Sequence, residues 1–182
     1  MRLPSTKALL VGMVVLGLTG VVVFATLQER NISQTNSTGG GSGLEPTRPP
    51  LTAAAELYAS SLWPIHSEVK LSAVNMTFAG LAYKLGELDR HDLRFRLEPI
   101  AGRFAEAALR LRKLQPPESM EKFHSDYAEA LRLYQASVAE MARVIDDGRD
   151  EHLIDAQAQS EKAAAILLKL SDELWPGEYK PN

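Results

Sequence analysis

Residues 120–145 read MEKFHSDYAEALRLYQASVAEMARVI. Met120, Phe123, Tyr127, Ala130, Tyr134, Val138, Met141 and Ile145 recur there at steps of three and four. A strand would bring the same face round every second residue. This spacing is that of an α-helix with one apolar stripe, repeated for long enough to form the seam of a helical bundle.

The same rhythm runs outward in both directions. Upstream, Leu93, Leu97, Ile100, Phe104, Ala107, Leu111 and Leu114 predict a second helix. Earlier still, Val74, Phe78, Leu81, Leu85 and Leu88 form one stripe, and Tyr58, Leu62, Ile65 and Val69 form another in a shifted phase. Downstream, Leu153, Ala156, Ser160, Ala163, Leu167, Leu170 and Leu174 complete the set. Helices are expected over about 51–88, 92–114, 118–146 and 150–174.

The breaks have the right chemistry. Asp89-Arg90-His91-Asp92 and Gln115-Pro116-Pro117-Glu118 separate the stripes, and Gly148 stands where a left-handed helix terminus is needed. Connections this short make neighbours antiparallel, so the expected fold is an all-α, up-down four-helix bundle over residues 51–176, with a short tail at 177–182. The alanines of the fourth helix (Ala156, Ala158, Ala163, Ala164, Ala165) suit close packing. Pro99 is expected to kink the second helix. Pro64 coincides with the shift of phase and would set off Leu51–Trp63 as a separate short helix.

Ahead of the bundle the composition changes twice. Residues 28–50, QERNISQTNSTGGGSGLEPTRPP, have nothing to bury and read as a flexible tether spanning roughly 25 Å. Asn31, Asn36 and Asn75 each begin a glycosylation acceptor triplet, a pattern that arises readily by chance in such a composition. Residues 8–27, ALLVGMVVLGLTGVVVFATL, carry no charge and would make about 30 Å of helix, the thickness of a bilayer core. Arg2 and Lys7 precede this run, which places residues 1–7 in the cytoplasm and the remainder outside it. The run is longer than the core of a cleaved signal peptide, for which Val23-Phe24-Ala25 would be the cleavage site, so an uncleaved signal anchor is expected. The protein is then a single-pass cell-membrane protein with a periplasmic or otherwise extracytoplasmic C-terminal domain.

Charge and composition narrow the function. Residues 51–182 hold 16 Lys and Arg against 21 Asp and Glu, a net of −5, which excludes nucleic acid as a partner. The chain has no cysteine, so thiolate chemistry, disulfides and Cys-ligated metals are excluded. Residues 90–113 carry seven basic side chains beside an acidic 118–178, a pattern of charge matching between neighbouring helices. Arg94, Arg103 and Arg110 would be the face offered to an anionic partner.

No Gly-x-Ser-x-Gly elbow or phosphate-binding loop occurs in the folded part, and no cofactor is expected. The chain reads as a non-enzyme. Glu121-Lys122-Phe123-His124 matches one element of a di-iron carboxylate bundle, and His66, Glu121 and His124 form the alternative, a metal- or cofactor-binding site. All four histidines flank the stripes, as partly exposed structural histidines would. Leu62-Trp63-Pro64 near the start of the bundle sequence and Leu174-Trp175-Pro176 at its close repeat one tripeptide, and an up-down topology puts both at the same end. Trp63, Trp175, Tyr58, Tyr179, His66 and His124 are thereby gathered at one end, with the tryptophans either capping the core or lining a recess. The expected activity is binding or scaffolding, with a protein partner or a small ligand.

Overall fold

The computed structural model describes residues 50–176. The expected membrane span and tether, up to residue 49, and the tail with Tyr179 lie outside the described residues. Among the described residues no helix is long and apolar enough to cross a membrane, and no strand occurs.

Four helices follow one another: α1 (Ala53–Leu85), α2 (Arg90–Lys113), α3 (Glu121–Asp147) and α4 (Glu151–Leu174). A single 3₁₀ turn, Glu118–Met120, leads into α3. The termini are closed as the local sequence requires. The Thr52 hydroxyl accepts the Ala55 amide at 3.2 Å, and the Asp89 carboxylate accepts that of Asp92 at 2.8 Å. Gly86 ends α1 at φ 79° and Gly148 ends α3 at φ 74°, left-handed conformations that glycine reaches without a Cβ penalty. At Gly148 a Cβ would also collide with the Arg90 guanidinium.

Helices adjacent in sequence pack along one another, and α4 also touches α1. Side-chain contacts give the arrangement of the ends. Tyr58 near the start of α1 meets His124 near the start of α3, and Trp63 meets Trp175 just beyond α4. At the opposite end Lys84 pairs with Asp150 at 2.6 Å, and Arg94 with Asp146 at 3.3 Å.

Three of the four stripes lie in the core along most of their length, with Leu114, Ile145, Leu153 and Ser160 only partly buried. Leu93 to Leu111 on α2, Met120 to Met141 along α3, and Ala156, Ala163, Leu167, Leu170 and Leu174 on α4 are all buried. Phe104 and Tyr134 stack face to face at 5.1 Å between α2 and α3. Of the five alanines of α4 only Ala156 and Ala163 are buried, and the Ser137 hydroxyl of α3 donates to the Ala156 carbonyl at 2.7 Å.

The first stripe is different and corrects the sequence reading. α1 is one helix, with no break at Pro64 and no separate helix over Leu51–Trp63. Pro64 is exposed, so water can satisfy the carbonyl whose helical partner the proline removes. The buried seam keeps its phase through the proline: Tyr58, Leu62, Ile65, Val69, Ser72, Met76 and Ala79. Val74, Phe78 and Leu85 lie outside it, 45%, 53% and 52% exposed. At 100° per residue they fall on the face of α1 opposite its core seam.

Candidate binding surfaces

The sequence singled out the aromatic end, and the structure assembles it. The Trp63 and Trp175 rings meet edge to face, centroids 5.1 Å apart. His66 lies against both, 6.0 Å from Trp63 and 4.7 Å from Trp175, and its Nδ1 shares a 3.3 Å hydrogen bond with the Tyr127 hydroxyl. Tyr58 bonds through its hydroxyl to His124 Nδ1 at 2.9 Å and packs edge to face on Phe123.

One residue of this cluster differs from the sequence reading. His66 is 1% exposed and belongs to the core, since it follows Ile65 on the face of α1 that turns toward Trp175 and Tyr127. His124 is partly exposed, as expected. Trp175 is 2% exposed, although it lies beyond the last turn of α4. Its indole N–H has no hydrogen-bond partner among the described residues. Trp63 is half-buried. The cluster is therefore largely filled by its own rings.

Its electrostatics follow from burial. Desolvation pushes the Tyr58 hydroxyl up to about 12 and raises Tyr127 and Tyr134 as well, while it lowers His124 below the ordinary imidazole value. Because the folded Tyr58 titrates above its unfolded counterpart, its contribution to stability is complete below pH 10. It is lost as the pH rises from 10 through about 12. Tyr58→Phe should flatten part of the alkaline decline while lowering stability at pH 7 by about 1 kcal/mol for the lost hydrogen bond. Urea titrations of both forms between pH 8 and pH 12 would check this. A parallel decline in the two would contradict it.

Metal-capable side chains occur near both ends of α3. Glu121 is exposed at the start of α3, and His66 and His124 engage separate tyrosines. Among the described residues, Glu140, His152 and Asp155 form the set whose potential ligand atoms approach within 4.8 Å, at the other end of α3. There His152 bonds through Nδ1 to Glu140 at 3.1 Å and through Nε2 to Asp147 at 3.0 Å. The Arg143 guanidinium, then His152, holds the Glu140 carboxyl below the usual range. The Arg149 amide, then His152, does the same for Asp147. This clamp joins α4 to the end of α3. Sequence spacing gave no sign of it, because the partners come from two helices and their connection.

The basic face is partly engaged within the fold. Arg110 pairs with Glu68 of α1 at 2.7 Å and Arg94 with Asp146 of α3, while Arg103 is exposed. Charge matching between helices accounts for the first two.

The surface with no such account is the outer face of α1. Leu71, Val74, Phe78 and Leu85 are about half exposed, and Leu81 beside them is partly exposed. Their steps of 3, 4, 3 and 4 are those of a second seam, about 21 Å long at 1.5 Å per residue. Ser67 and Ala82 continue this face without a charge. No known family model, characterised protein or solved structure matches the chain.

Proposed function

We propose that this chain is a non-enzymatic binding and scaffolding module, held at the outer face of a cytoplasmic membrane by residues 8–27, with an up-down bundle that docks a helix on the outer face of α1. The observation that carries the reading is the row Leu71, Val74, Phe78 and Leu85, exposed to solvent opposite the core seam of the same helix. Single exposed apolar residues are ordinary, but a contiguous row is a liability unless something covers it. The spacing specifies the covering element. A 3–4 repeat accepts knobs from another helix with the same repeat, whereas a strand or an extended peptide would match it poorly.

The other surfaces support this choice. Trp175 is enclosed by Trp63 and His66, and Arg94 and Arg110 are engaged by carboxylates of the same chain. The partner is thus a helix with an apolar stripe and few charges along its seam. The test uses the full chain in detergent and a fluorescently labelled synthetic helix with leucines at heptad spacing. The peptide should bind with a Kd of about 1–100 µM, a range suited to a small transient interface. Phe78→Glu should weaken it at least tenfold, and Phe95→Glu, at another exposed aromatic, should leave it unchanged. Equal binding by all three forms would rule out the α1 face.

A further inference from the structure

Building on the docking role of α1, we infer that the helix occupying its outer face is α1 of a second copy of this chain, in antiparallel orientation. The stripe can close on itself. In an antiparallel pair each position of one seam faces a position of the other, and the two must alternate in register. One register lays Phe78 against the second copy's Leu81 and Val74 against its Leu85, with both contacts repeated across the two-fold axis. In the same register Leu71 falls beyond the end of the second copy's α1, which stops at Leu85. Every layer is then apolar.

The flanking residues favour this register over its neighbour. Thr77 comes beside the second copy's Lys84, and Asn75 beside its Ala82, so no like charges meet. Shifting by one heptad would bring Lys70 against the second copy's Lys84, a destabilising pair. Lys84 is paired with Asp150 of its own chain at 2.6 Å. Asn75 and Ala82 are small enough for the helices to approach on that edge.

The area is adequate for a dimer of modest affinity. The five side chains of the stripe offer roughly 400 Å² of apolar surface, at the upper end of what a monomer exposes. Pairing two stripes, with the flanking backbone and the stems of Thr77 and Lys84, buries about 1,000 Å², near the lower bound for a specific interface.

Because the chain has no cysteine, the geometry can be read by disulfide trapping. The full-length Asn75→Cys/Ala82→Cys chain, oxidised in detergent micelles, should run mostly as a covalent dimer, since each cysteine lies opposite the other's position in the second copy. Adding Phe78→Glu or, separately, Val74→Glu should reduce the dimer at least tenfold with helicity unchanged. Gly102→Cys/Leu109→Cys, the same spacing on an exposed face of α2, is the control. Trapping no greater than in this control overturns the second-copy inference, and so does trapping that ignores both glutamate substitutions, which would place the contact elsewhere in the chain. If trapping fails while the leucine-heptad peptide still binds, the docking role stands and its occupant is another protein. If both fail, the docking role falls as well.

Discussion

Replacing Trp175 by alanine is expected to lower the stability of the bundle by about 3–5 kcal/mol, the usual cost of emptying a fully buried aromatic site. The position is one residue past the end of α4, where substitutions ordinarily cost little. Here the indole folds back onto the bundle, edge to face with Trp63 and 4.7 Å from His66, and is 2% exposed. Its removal opens a cavity where the indole packs on Trp63 and His66 of α1. Losing a ring whose N–H has no partner among the described residues recovers part of that cost, because an unsatisfied buried donor is itself unfavourable. For a domain of this size the melting temperature should fall by roughly 10–20 °C. Trp63→Ala should cost less, since Trp63 is half-buried. Thermal denaturation of both variants followed at 222 nm decides the matter. A fall of less than about 3 °C for Trp175→Ala would show that the ring does not close the core.

The second large effect separates two residues only two positions apart. Met76→Asp should abolish cooperative folding, whereas Phe78→Asp should leave the monomer's stability within about 0.5 kcal/mol of the parent. Met76 is 1% exposed and touches the Ser137 hydroxyl of α3 through its sulfur at 3.6 Å. A carboxylate there loses the methionine's packing and is buried without a cation. The two penalties together rival the ~5–15 kcal/mol that holds a typical domain folded. Phe78 faces outward, so aspartate there is hydrated. The comparison belongs at low protein concentration, because self-association through the stripe would add stability to the parent by mass action. If Phe78→Asp instead unfolds the chain and Met76→Asp does not, the buried and outer faces of α1 have been exchanged.

This pair also shows why one helix of the four was misread. Val74, Phe78, Leu81 and Leu85 are more hydrophobic than Ser72, Met76 and Ala79, and the two rows have the same spacing. Local pattern therefore selects the stronger row. The fold selects the other, because a continuous helix carries one phase from end to end, and Tyr58, Leu62, Ile65 and Val69 are already committed to the core. Once Pro64 fails to break the helix, Met76 and Ala79 must follow them inward. On α2, α3 and α4 no second apolar row competes, and the stripes read from spacing are buried except at Leu114, Ile145, Leu153 and Ser160.

The candidate sites divide along a similar line. That Trp63, Trp175, Tyr58, His66 and His124 share one end follows from helix order and length, and was legible. That His66 is enclosed was not, because its burial depends on Trp175 turning back over the end of α4. The clamp of His152 between Glu140 and Asp147 was likewise hidden, since it is assembled by two helices and the turn between them.

By itself, then, the sequence determined that the described chain is helical and about where its helices stop, because periodicity and capping residues are local quantities. Which of the two apolar rows on α1 faces inward, and so which row remains exposed, was decided by tertiary structure alone. Both rows satisfy the helix equally well, and only the positions of α2, α3 and α4 around α1 distinguish them.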